Sequence, residues 1–188
     1  MHHIYLAEFK TLLSKEEYSR LYDKFKDNQR DVQTNHYLDT NRFSLKATDT
    51  SLRIRERENF ELTFKRKKGY NLHELRQEIS KEDFEIIIET GSLPEGDLAN
   101  EINNIIGNQK LENFMSLSTD RLCLQYGNGI IYLDKDSYLG FTDYELLYEA
   151  KNQFDGKKEF IQLLTDLNIK YKKAEKKIKR AYNALKTL

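Results

Sequence analysis

The chain carries one cysteine, Cys123, in 188 residues, so no disulfide can form within it; that usage is expected of a reducing compartment, the cytoplasm. Cys123 has no nucleophile partner identifiable from the sequence. Proline is almost absent, with Pro94 alone, and no Pro/Gly/Ser-rich linker marks a domain boundary. Gly91 to Gly96 is the densest turn cluster, there is no internal repeat, and a single domain over residues 1–188 is the expectation. No apolar run is long enough to span a membrane or act as a signal sequence. An excess of either charge is missing too: 31 Lys and Arg balance 31 Asp and Glu, so no overall field recruits nucleic acid or an anionic membrane. Any electrostatic function must be local. The four histidines show no metal-ligand spacing, His2 and His3 are given no metal role, and His36 and His73 are expected at strand ends.

What the chain does have is charge on alternate residues of strand-like stretches. In Ser51 to Arg57, Arg53, Arg55 and Arg57 share one parity while Leu52 and Ile54 take the other, so a strand would line up three guanidinium groups on one face. Lys65 and Lys67 oppose Leu62 and Phe64 in the same way. Glu74, Arg76 and Glu78 oppose Leu75 and Ile79, and Glu145 and Glu149 oppose Tyr144, Leu146 and Tyr148. One such face is explained by water alone. Several, of mixed sign and each backed by apolar residues, suggest a sheet curled around a charged interior.

Ile4 to Leu12 reads as a first strand, and Ser14 with Glu17 as a capping box for a helix that aligns Tyr18, Leu21, Tyr22 and Phe25. His36 to Asp39, Leu52 to Glu58, Phe60 to Lys67 and Leu72 to Ser80 read as strands joined by short turns at Asp49, Asn59 and Gly69-Tyr70, which makes an antiparallel meander. Ser80 and Asp83 open a helix through Ile88, and Asp97 heads another through Ile106. Ser116 to Tyr126, Gly129 to Lys135 and Phe141 to Ala150 make further strands, the first two joined at Gly127-Asn128-Gly129. A helix from about Asp155 to Leu167 and a basic amphipathic segment from Ala174 to Leu188 end the chain. About eight strands with flanking helices is an α+β pattern. Closed on itself, such a sheet has a lumen that admits side chains or one small ligand. Facing rows of bases and acids would be poorly solvated there unless the bases held an anion and the acids a cation. A metal and a polyphosphate are thereby implicated.

Read in order, Glu8-Phe9-Lys10, Tyr37-Leu38-Asp39-Thr40, Leu52-Arg53-Ile54-Arg55, Leu62-Thr63-Phe64-Lys65, Gln77-Glu78-Ile79, Thr119-Asp120-Arg121, Leu133-Asp134, Asp143-Tyr144-Glu145 and Lys173-Ala174 followed by Lys177-Ile178 and Arg180 resemble the CYTH superfamily of triphosphate tunnel metalloenzymes. That superfamily is named for class IV adenylate cyclases and thiamine triphosphatases, and the order is most similar to small CYTH proteins of Gram-positive bacteria. No single motif is specific; their order over nearly the whole chain is. The resemblance implies a closed eight-stranded antiparallel β tunnel with flanking helices. Lys10, Arg53, Arg55, Lys65, Lys67, Arg121, Lys177 and Arg180 would meet triphosphate oxygens, as guanidinium and ammonium groups suit phosphate. Glu8, Asp134 and Glu145 would hold Mg²⁺ or Mn²⁺. Lys10, Lys65 and Glu78 would act in hydrolysis, on a triphosphate-containing small molecule and in a monomer or homodimer. Asp134 also has an ordinary explanation as a turn or capping residue beside a strand end, and Glu78, on the face of Arg76, as one half of a pair across neighbouring strands.

Two positions depart from the pattern. The opening Glu-x-Glu-x-Lys reads Leu6-Ala7-Glu8-Phe9-Lys10, and the late Glu-x-Glu-x-Glu reads Glu145-Leu146-Leu147-Tyr148-Glu149. Leu6 and Leu147 thus replace expected acids on the metal-bearing face, which implies a weakened metal site. Three readings follow: a metal-dependent hydrolase of tripolyphosphate, thiamine triphosphate or a nucleoside triphosphate; a polyphosphate-binding module that does not cleave; and an adenylate cyclase, which no residue here favours.

Overall fold

The computed structural model describes residues 7–69 and 71–187 and shows an α+β chain. Its strands are β1 (Ala7–Leu13), β2 (Gln29–Thr40), β3 (Thr50–Glu56), β4 (Phe60–Lys68), β5 (Asn71–Ile79), β6 (Leu111–Tyr126), β7 (Gly129–Tyr138) and β8 (Phe141–Ala150). The helices are α1 (Lys15–Phe25), α2 (Ser44–Ala47), α3 (Lys81–Thr90), α4 (Asp97–Ile106), α5 (Gln153–Asp166) and α6 (Lys177–Leu185). The strands make one antiparallel sheet of eight in the order β1-β8-β7-β6-β2-β3-β4-β5. The meander expected from the short turns is β3-β4-β5, paired antiparallel from Glu56↔Phe60 to Lys68↔Asn71. Among the described residues no helix is long and apolar enough to cross a membrane.

Local chemistry sets most element ends. Ser14 accepts from the Glu17 amide at 3.1 Å while the Glu17 carboxylate accepts from the Ser14 amide at 2.6 Å, and Ser80 with Asp83 repeats the reciprocal cap on α3. Helix α3 ends on Gly91 at φ 78, where a Cβ would stand 2.3 Å from the Leu111 carbonyl oxygen, so both conformation and space require glycine. Helix α4 starts at Asp97 as expected, with Gly96 as its N-cap.

Three strands clearly exceed their expected length, β6 among them by starting at Leu111 rather than Ser116. Strand β2 begins at Gln29 rather than His36, which places His36 mid-strand, its Nε2 2.8 Å from Glu56 and its Nδ1 2.9 Å from Ser116. Strand β7 continues through Asp136 to Tyr138, so Asp134 is an interior strand residue, not a turn residue. The β2 extension has Val32 as its one apolar residue and the β7 extension adds only Asp136, Ser137 and Tyr138, so neither offers a hydrophobic alternation to read. The short α2 carries little periodic signal; buried Asp39 holds its first turn by accepting from the Leu45 and Lys46 amides at 2.9 and 3.0 Å.

The chain divides into two compact units. The first takes in residues up to Val32 and from Thr119 onward. Its core joins Leu13, Tyr18 and Leu21 to Leu122, Ile131, Leu133, Leu146, Tyr148, Phe160, Leu163 and Leu167, so the expected core role of Tyr148 holds. The second unit, Gln33–Ser118, packs Leu38, Leu52, Ile54, Leu62 and Phe64 from its strands against Ile87, Leu98, Ile102 and Ile106 from α3 and α4. In each, one sheet face is apolar and covered by helices. The other face carries the charge.

Candidate functional site

In the second unit, register fixes the charged face. Arg53 lies opposite Tyr37 and Thr63, Arg55 opposite Asn35 and Glu61, and Lys65 opposite Ser51 and Glu74; directly paired residues share a face. Arg53, Arg55, Arg57, Lys65, Lys67 and Arg76 therefore stand with Glu61, Glu74 and Glu78, six bases with three acids. The acids sit toward one side of the row. Lys65 Nζ lies 3.0 Å from Glu74 Oε2, and Arg76 meets the same carboxylate at 2.5 Å and Glu61 at 3.9 Å.

Arg57 and Arg55 each reach a side-chain amide. Arg57 donates to the Gln33 side-chain oxygen at 2.6 and 2.9 Å, and Arg55 reaches the Asn35 oxygen at 3.5 Å. The buried Nε of Arg53 has no hydrogen-bond acceptor. Burial, then the charges of Arg53 and Arg57, push the Arg55 guanidinium down to about 10. It stays charged at neutral pH, and Glu61 opposite it offsets part of the crowding. Lys67 is exposed at the outer end of the row, and Glu78 is exposed opposite Glu61 rather than beside a lysine.

In the first unit the acidic face is neutralised by side chains. Arg121 on β6 grips Asp134 on β7 at two points, Nε to Oδ1 and Nη2 to Oδ2, both 2.7 Å, with its guanidinium carbon 4.4 Å from the Tyr132 ring centre. Tyr132 in turn donates to Glu149 at 3.0 Å; burial and that bond push its phenol up to about 12. The remaining cations come from α6. The segment before it is tied to β1, Leu12 donating to the Lys172 carbonyl at 3.1 Å and the Lys172 amide to Thr11 Oγ1 at 2.8 Å. Lys177 and Arg180, three apart, then share one helix face.

Lys177 Nζ donates to Asp134 Oδ2 at 2.7 Å and Asp136 Oδ1 at 2.6 Å. Arg180 donates from Nη1 to Glu145 at 2.7 Å and from Nη2 to Asp136 at 3.1 Å. Its Nε is 3.0 Å from Asp143 but off the hydrogen-bond direction, so that contact is an ion pair. Asp134 and Asp136 are wholly buried and Glu145 is 1 % exposed. For Asp134 burial opposes ionisation, yet Arg121 and Lys177 outweigh it and hold the carboxyl below its ordinary range. Asp136 goes the other way, raised by burial and by the charge of Asp134, with Lys177 too weak a counterweight. Burial would lower Lys177, and Asp134, Asp136 and Glu145 together raise it.

The structure thus brings Arg53, Arg55, Lys65 and Lys67 onto one face of the second unit. It brings Arg121, Lys177, Arg180, Asp134 and Glu145 into one network of the first. Glu8 is exposed on β1 opposite Glu149, and Lys10 stands opposite Leu147 on the same face of the first unit, so Leu147 does share the face of Glu145 and Glu149. Leu6 lies outside the described residues. Thr119, Tyr132, Asp136 and Asp143 belong to the network as well, and none of them was among the expected site residues. Period two does put Asp136 on the face of Asp134, and Asp143 on that of Glu145.

The CYTH domain family profile matches residues 6–182. The chain belongs to the CYTH family. A CYTH relative from Bacillus subtilis (strain 168), named "Putative triphosphatase YjbK", is 33% identical over 180 residues, covering 93% of each chain. Among solved structures, a "putative adenylate cyclase" of Bacillus halodurans is 34% identical with a TM-score of 0.78, covering 92% of this chain and 95% of its own. A Hippeastrum protein, described as an adenylyl cyclase homologue with a dominant triphosphatase activity, shares the fold at TM-score 0.71 and 20% identity, over 92% of this chain and 93% of that one.

CYTH membership implies a divalent metal, and the donor set can be tested for one. Among the described residues no group of three or more His, Cys, Asp or Glu side chains is arranged to hold an ion. The carboxylates that do face one another already carry Arg121, Lys177 and Arg180, and Glu8 stands apart from them on β1. As folded, these donors do not fit a resident metal.

Proposed function

We propose that this CYTH protein binds the triphosphate group of a small molecule along Arg53, Arg55 and Lys65 and hydrolyses it. The observation that carries the reading is the Arg53–Arg55 pair: two neighbouring guanidinium groups on one strand face, one with a buried Nε lacking an acceptor and the other depressed by its like-charged neighbours. An oligophosphate supplies both missing partners, acceptor oxygens and negative charge, and fixed guanidinium groups remain in place to stabilise charge that develops on the departing phosphate. Lys65, held against Glu74, adds an ammonium to the same face. Lys67 at the outer end and Glu78 on β5 complete the proposed acting set of this unit. The name of the 33% identical Bacillus subtilis protein points to hydrolysis and that of the 34% identical Bacillus halodurans protein to cyclisation.

A second reading, capture of a polyphosphate without cleavage, is favoured by the saturated carboxylates of the first unit. The two separate in one experiment. Phosphate release from tripolyphosphate, thiamine triphosphate and ATP is measured with and without Mg²⁺ or Mn²⁺, beside calorimetry on the same compounds. Turnover that Arg53→Ala abolishes supports hydrolysis. Saturable binding without turnover supports the module, and neither signal on any of the compounds rejects both.

A further inference from the structure

We propose that the Lys177 ammonium occupies the position a divalent ion would take between Asp134 and Asp136, so that metal binds this pair only when that ammonium is removed. The inference concerns the cation side of the fold and is independent of the triphosphate reading. An ammonium has three donors, and here three oxygens face it: Asp134 Oδ2 at 2.7 Å, Asp136 Oδ1 at 2.6 Å and, more loosely, Thr119 Oγ1 at 3.5 Å. Those are hard oxygen ligands of the kind Mg²⁺ and Mn²⁺ select.

The surrounding charge leaves no call for a further cation. Asp134, Asp136 and Glu145 are met by Arg121, Lys177 and Arg180 one for one, and Asp143 has Arg180 and the Tyr138 hydroxyl. Lys177 is placed by two devices that do not depend on a metal: the Thr11–Lys172 backbone tie that leads the chain into α6, and the wholly buried Ala181 that seats the helix. Both aspartates are closed to solvent, so an ion entering between them must expel the ammonium rather than sit beside it.

The test uses MnCl₂ alone, with no phosphate compound, and reads binding by Mn²⁺ electron paramagnetic resonance. The variants are Lys177→Met, Lys177→Arg and the double Lys177→Met, Asp136→Asn. Wild type and Lys177→Arg are expected to show no saturable site at sub-millimolar Mn²⁺. Lys177→Met should gain one equivalent at least tenfold tighter, and the double variant should lose that gain. Wild type that binds one equivalent as tightly as Lys177→Met overturns the proposal, as does a folded Lys177→Met without gain. Should Lys177→Met unfold in metal-free buffer, Mn²⁺ is expected to restore its circular dichroism where Na⁺ does not, and failure to restore it also overturns the proposal.

Discussion

Arg121 and Asp134 meet across β6 and β7 through two parallel hydrogen bonds of 2.7 Å, and Lys177 completes the carboxylate from the other side. An arginine expected to face phosphate is thus already neutralised, and an aspartate expected to face metal is already paired. In the second unit the proposed anion seat is Arg53 and Arg55, of which Arg55 reaches the Asn35 side-chain oxygen at 3.5 Å.

Arg53→Ala and Arg55→Ala should each weaken tripolyphosphate binding by about tenfold or more, the range of about 1.5–3 kcal/mol for a hydrogen bond to a charged group. Lys67→Ala, at the exposed end of the row, should change it much less. Calorimetric titration of the three variants checks the ranking, and equal effects at all three would argue against a seat on the arginine pair.

Arg121→Ala leaves Asp134 buried with one fewer partner and should cost about 3–5 kcal/mol of stability. The comparison is Arg30→Ala, which breaks a bond of 2.6 Å to Asp120 on an exposed surface and should leave the urea midpoint nearly unchanged. Similar midpoints for the two variants would contradict the burial argument.

Asp134 and Asp136 should pull the acid limb of stability in opposite directions. The Asp134 carboxyl is held below its ordinary 3.8, so its contribution is complete above that pH and is lost as pH falls through the lower folded value. Asp134→Asn should therefore flatten the acid limb. Asp136 is raised, so its contribution is complete below 3.8 and is lost as pH rises through the folded value; Asp136→Asn should steepen that limb. Urea titrations between about pH 3 and 7 read both slopes, in the window set by these two directions.

Gly129→Ala should destabilise by about 1–3 kcal/mol through overpacking. A Cβ there would stand 2.2 Å from the Glu149 carbonyl oxygen and 2.6 Å from the Tyr148 ring, both of which are fixed by the β7–β8 ladder and the core. Thermal unfolding against Gly140→Ala, where space is open but φ is 80, separates crowding from backbone strain.

How far each feature was legible depended on how local its physics is. The capping boxes at Ser14 and Ser80 could be read because cap and partner lie three residues apart. The parity of Arg53 and Arg55 could be read because a strand alternates without reference to anything else. The end of β7 could not, because Asp136 is a polar strand residue kept in place by Thr119 and Lys177, partners distant in sequence. These contacts form only once β6 and α6 are packed.

The sequence alone determined the α+β class, the CYTH pattern and which residues share each strand face, since period and spacing are properties of the chain. Tertiary structure decided which charges are satisfied. Arg121, Lys177 and Arg180 looked like Arg53 and Arg55 in the sequence, yet folding gives the first three carboxylate partners, sets Arg55 beside the Asn35 amide oxygen and leaves the Arg53 Nε without an acceptor among the described residues. Charge pairing depends on distance and burial, and neither exists until segments far apart in the chain come together.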